Sequence, residues 1–152
     1  MKKITLLVAM LFATLTIAQN IKIVEIDADQ TSTDDMEFLE ILTESSNQSL
    51  NGYIVVFYNG NSDQSYRTLD LTGFSSDSNG YFIIGSDLFP GADIIMGPDN
   101  TIQNGADAIA IYSADAANFP DGTSVTSSGL VDAVVYGTSD DDDLELLAGL
   151  NQ

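Results

Sequence analysis

Beyond residue 20 the chain is a series of short apolar runs, rich in Val, Ile, Tyr and Phe, cut apart by clusters of Asn, Gly, Ser and Asp. No run sustains a helical period, and β-branched and aromatic side chains suit a pleated, half-buried surface. The pattern predicts strands at IKIVEI (21–26), MEFLEIL (36–42), GYIVVFY (52–58), YFIIG (81–85), DAIAIYS (107–113) and LVDAVVY (130–136). Weaker strands are predicted at RTLDL (67–71) and DIIM (93–96). Between them, NGNSDQS (59–65) reads as a hairpin or slightly longer turn, and SSDSNG (75–80) ends in Asn-Gly directly before YFIIG. The pattern holds none of the helices that parallel strands need as crossovers, and its one helix-like piece is DLELLAGL, where Asp143 can cap a turn or two. Turn clusters recurring at these intervals predict an all-β domain, a sandwich or a barrel.

The first residues follow another grammar. Lys2 and Lys3 form a basic start, Ile4 to Ile17 an almost unbroken apolar run, and Thr16-Ile17-Ala18 a small-x-small exit. Those are the three parts of a secretory signal peptide, expected to be cleaved after Ala18, so residues 1–18 are assigned to export and 19–152 to one domain. The apolar run falls short of the roughly 20 residues of a membrane span, and no transmembrane segment is expected after cleavage. The mature chain is then expected to be secreted or extracellular.

Removing the leader sharpens the charge. The full chain has 4 Lys and Arg against 23 Asp and Glu, and two of the four bases are Lys2 and Lys3, so the mature chain keeps Lys22 and Arg67 alone at a net charge of -21. Such a surface repels phosphate backbones, and direct nucleic-acid binding is not expected. Cysteine and histidine are both absent. That removes disulfides, thiol and histidine catalysis, and zinc sites built on nitrogen and sulfur, leaving carboxylates and hydroxyls, which suit calcium or magnesium.

With the strands in order, the chain resembles the lamin tail domain, an immunoglobulin-like β-sandwich found in nuclear lamins and in many secreted bacterial proteins. IVEIDADQTSTDDMEFLEIL resembles the opening of that family, LNGYIVVFYNG its next strand entered through a Leu-x-Gly turn, and NGYFIIG the following core strand. IQNGADAIAIYS and LVDAVVYGTSDDDD are similar to later strands and an acidic loop. The resemblance implies an all-β, immunoglobulin-like β-sandwich that serves as a noncatalytic module beside secreted nucleases, phosphatases or other hydrolases. The family continues to a closing strand after the acidic loop, whereas this sequence stops at ELLAGLNQ, so a fragment lacking that strand is expected, with any hydrolase domain lying in a longer parent chain.

The carboxylates within and between the runs are the candidate chemistry. Strand alternation puts Glu37, Leu39 and Ile41 on one face and Phe38, Glu40 and Leu42 on the other. A pair among Glu25, Glu37 and Glu40 could act as the acid and base of a hydrolase. No Trp and no aromatic-lined loop accompanies them, so they are expected instead to accept hydrogen bonds at strand edges, with Glu40 the most buried. In the loop DADQTSTDD, Asp27, Asp29, Asp34 and Asp35 resemble calcium ligands, though without EF-hand spacing, and the run SDDDDLE could bring Asp140 and Asp141 to the same end of a sandwich. Asp99 and Asp107 are expected to close local Asx turns. Of the aromatics in the runs, most are expected in the core, while an exposed Tyr row could bind a polysaccharide or a partner strand.

These readings converge on a secreted, noncatalytic binding, tethering or spacing module whose partner is an unidentified protein or polysaccharide. The alternatives are a calcium-stabilised extracellular adhesion domain and a carboxylate-dependent hydrolase using Glu37 or Glu40.

Overall fold

The computed structural model describes residues 20–31, 33–98, 100–138 and 141–152. The leader read at 1–18, together with Asp99 and Asp140, lies outside the described residues.

Each predicted run becomes a strand: β1 Ile21–Asp27, β2 Phe38–Thr43, β3 Tyr53–Asn59, β4 Gln64–Asp70, β5 Tyr81–Gly85, β6 Ile94–Ile95, β7 Ala106–Ser113 and β8 Leu130–Gly137. They form two four-stranded sheets in the orders β1-β2-β5-β6 and β4-β3-β7-β8. All neighbours are antiparallel except β5 and β6. The NGNSDQS turn joins β3 to β4 as a hairpin. In SSDSNG, the Asp77 carboxylate accepts the N–H groups of Asn79 and Tyr81 at 2.8 Å each, and Gly80 takes φ 92°, a left-handed conformation that glycine adopts freely.

Alternation along the strands builds an all-β sandwich. Leu39 and Ile41 of β2 and Phe82 and Ile84 of β5 face Val55 and Phe57 of β3 and Ile109 and Ile111 of β7 across the core. The intervening residues of β3 and β7 are apolar too, which is why YIVVFY and AIAIY read as continuous runs. Ile54, Val56, Tyr58, Ala108, Ala110 and Tyr112 point to the opposite face of their sheet and form a second core. Helix α1, Leu144–Gly149, covers that face with the fully buried Leu146 and Leu150, and Phe119 joins them after a single 3-10 turn at Ala116–Asn118. The small Ala108 and Ala110 leave room there for the covering layer. Asp143 caps α1 as expected, accepting from Leu146 N at 2.9 Å.

Asp107 departs from the expected local turn. It is 2 % exposed, and its two oxygens accept Gly60 N at 2.9 Å and Gly105 N at 3.1 Å, so it fastens the β3–β4 turn to the start of β7. A Cβ on Gly60 would lie 1.9 Å from the Ala106 carbonyl oxygen, so only glycine lets the backbone approach this carboxylate.

Removing the acceptor strands two amide donors in a closed corner. Asp107→Ala is expected to lower the free energy of unfolding by about 3 kcal/mol, and Asp107→Asn, which retains one acceptor oxygen, by less. Urea denaturation of both variants checks the order, and an Asp107→Ala protein as stable as the parent would contradict it.

Candidate functional site

A sandwich whose sheets are not closed into a barrel leaves edge strands, and here β1 and β8 are two of them. They lie side by side, each ending its own sheet. At one end the seam between them is shut: the Asp132 carboxylate of β8 accepts Ile23 N of β1 at 2.7 Å, standing in for the carbonyl of a neighbouring strand. Just beyond that bond, the pairing of β1 with β2 shifts register between Ile23 and Glu25, leaving Val24 as the extra residue of a bulge. A bulge bends its strand and increases the local twist. Past it, β1 and β8 enclose an open groove of about 520 Å3.

The groove is amphipathic. Ile23 and Ile26 from β1 and Val134 and Tyr136 from β8 are half-buried apolar residues that pack against the main core. Val24 stands 45 % exposed on the same wall. Glu25, Asp27 and Asp29 line it as well, and neither Lys22 nor Arg67 does. Its far end is framed by Thr138, whose hydroxyl donates to the Asn104 carbonyl, and by Tyr136, whose hydroxyl donates to the Gln103 carbonyl at 2.9 Å. Gln103 N in turn donates to the Tyr66 hydroxyl at 3.2 Å, and burial pushes the Tyr66 phenol up to about 12.

The acids singled out from the sequence separate into different roles. Glu37, not Glu40, is the most buried: it is fully enclosed, while Glu40 is half-buried on the outer face of β2. The Glu37 carboxylate accepts Thr101 N at 2.6 Å, the Thr101 hydroxyl at 2.8 Å and Ile102 N at 3.1 Å, tying the segment before β7 to the start of β2. The expectation missed this because Glu37 precedes the regular strand and its partners lie more than sixty residues away. Glu40 instead sits directly opposite Glu25 in the β1–β2 pairing. Burial, then Glu25 and Asp77, raise its carboxyl above the ordinary value of 4.5.

The calcium candidates are dispersed among backbone and amide partners. Asp34 accepts Gln30 N at 2.8 Å on one oxygen and the Asn104 side-chain amide at 2.7 Å on the other, and these two bonds hold its carboxyl below the usual range. Asp27 accepts the Gln30 side-chain amide at 2.8 Å, Asp29 and Asp141 are exposed, and Asp35 offers its carbonyl to the Ser86 hydroxyl. Among the described residues no three acidic side chains converge on a point that could hold an ion. Of the aromatics in the predicted runs, Phe57 and Phe82 are buried in the main core and Tyr58 in the second core, while Tyr81 is exposed.

Sequence reasoning overlooked Asp132. Its signal was present in LVDAVVY, where a single acid interrupts an apolar run at a position that would otherwise read as core or sheet surface. Comparison of the chain with protein-family models, with curated proteins and with solved structures finds no match.

Glu37 and Glu40 both hold their protons above the ordinary glutamate value of 4.5, burial being the largest cause for each. A raised folded-state value means that folding opposes ionisation. Each group's contribution is therefore most favourable below pH 4.5 and declines as pH rises through its folded-state value. Glu40→Gln removes a like-charge pair, so it is expected to stabilise the protein by about 0.2–1 kcal/mol at pH 7 and to have little effect below pH 4. Glu37→Gln turns an amide NH2 toward the Thr101 or Ile102 N–H and is expected to destabilise by about 1–3 kcal/mol. Thermal denaturation across this pH range measures both, and carboxyl NMR titration must place the Glu37 midpoint above 4.5.

Proposed function

We propose that this chain is a secreted, noncatalytic binding or tethering module, an immunoglobulin-like sandwich of the lamin-tail type, whose docking surface is the groove between β1 and β8. The single observation that carries this reading is the groove itself: two adjacent strand edges with half-buried apolar residues between them. An extended peptide can add to such an edge through main-chain hydrogen bonds, with alternate side chains entering the apolar slot. The distribution of the acids supports a noncatalytic role. Glu37, Asp107, Asp34 and Asp132 are each committed to amide donors of the fold, which leaves none of them free to move a proton on a substrate. The resemblance to modules that accompany extracellular hydrolases, together with the leader-like first 18 residues, supports placement outside the cell.

Val134→Lys tests the assignment, since it puts a charge on the apolar wall at an edge position. Extended peptides selected from a random library against the parent protein are expected to lose binding to Val134→Lys and also to Val24→Lys, whose parent side chain is exposed on the same wall and whose melting temperature should stay close to the parent's. Binders indifferent to those changes, or the absence of any binder, would contradict the groove. Turnover of a nucleic acid, phosphoester or glycan that disappears in Glu37→Gln or Glu40→Gln would contradict the noncatalytic reading.

A further inference from the structure

Resting on that docking surface, we infer that its occupant is an extended, cationic segment of another protein, in which basic residues alternate with apolar ones. The geometry of the groove asks for alternation. Ile23, Ile26, Val134 and Tyr136 make an apolar floor continuous with the main core, while Glu25, Asp27 and Asp29 make an acidic wall without a balancing cation among the lining residues. A strand presents successive side chains to opposite sides, so one set enters the apolar floor and the other faces the acids. Asp132 closes one end of the seam and the β1 bulge opens the other, so the added strand begins beyond the Ile23–Asp132 bond and runs along β8 toward Thr138.

Charge decides between the occupants that could fill such a slot. A second copy of this chain would bring a net charge of -21 against a matching -21, the mature values with Lys22 and Arg67 as the remaining bases. Repulsion of that size disfavours pairing of two edges and favours a basic partner, whose approach the same field accelerates. Glu25 and Asp29 are exposed and serve this attraction, whereas Asp27 is half-buried and held by Gln30. Lysine and arginine on the incoming strand would stack their apolar stems along Val24 and reach the carboxylates with their charged ends.

The test uses peptides of eight residues, the length of β8. One alternates Lys with Val, a second replaces every Lys by Gln, and a third replaces every Lys by Glu. Each is titrated against the full chain by fluorescence anisotropy at low salt and in 0.5 M NaCl, and the chain's own association state is measured by sedimentation. The expected result is tightest binding of the Lys peptide, weakened about tenfold or more by the added salt. The Glu25→Gln/Asp29→Asn double variant should lose most of the preference for the Lys peptide over the Gln peptide, whereas an equal two-charge change away from the groove, Asp70→Asn/Asp115→Asn, should keep it. If the Gln peptide binds the parent as tightly as the Lys peptide, the charge inference falls while the docking groove stands. If no peptide binds, the docking reading falls and this one with it. A dimer that Val134→Lys dissociates would make the occupant a second copy and overturn the inference.

Discussion

A backbone N–H that leaves water must find an acceptor, and in this protein carboxylates supply one at several places where strand pairing stops. Asp132 takes Ile23 N where β1 leaves β8, Asp93 takes Ile83 N beside the short β6, and Asp107 takes the amides of Gly60 in the β3–β4 turn and of Gly105 just before β7. Glu37 takes the amides of Thr101 and Ile102 on the approach to β7. The abundance of acids in a chain nearly devoid of bases follows a structural logic. An amide is the partner that a carboxylate can find without a cation, and a charged acceptor makes a stronger hydrogen bond than a neutral one.

The same constraint shapes the two sheets differently. The sheet holding β3 and β7 is covered on both faces, by the opposing sheet on one side and by α1 with Phe119 on the other, so the middle of each central strand, Ile54–Tyr58 and Ala108–Tyr112, is apolar on both faces. The sheet holding β1 and β2 meets the opposing sheet on one face, and among the described residues its outer face carries the facing pair Glu25 and Glu40, with Phe89 stacked on Phe38. That asymmetry leaves the β1 edge poorly clothed at the point where it diverges from the well-packed β7–β8 pair. A groove at this seam is the consequence: β8 keeps half-buried residues along nearly its whole length, although it is hydrogen-bonded to β7.

The strands and the sandwich were legible because alternation and turn chemistry are local. YFIIG after Asn-Gly became β5 with the predicted bounds, and Asp143 capped α1 where the sequence placed it. The covering of the second face was not legible, since nothing in DLELLAGL alone says that Leu146 and Leu150 meet Ala108 and Ala110. The site was legible only in part. Asp27 and Asp29 were singled out for a cation and Glu25 for a carboxylate pair, and all three do line one wall, but together with an apolar slot that depends on β8, more than a hundred residues further on. Glu37 and Glu40 exchanged their expected burial for the same reason: periodicity assigns a face, while the partner segment that closes over that face comes from a distant part of the chain.

The central claim is that β8 offers a free edge next to a shut seam at Asp132. Residue-resolved hydrogen–deuterium exchange on the free protein tests it most directly. Alternate amides along Leu130–Gly137 should exchange near the unprotected rate while the intervening ones, bonded to β7, and Ile23 N, bonded to Asp132, exchange slowly. Uniform protection along β8 would contradict the account, because it would mean that the edge is already covered.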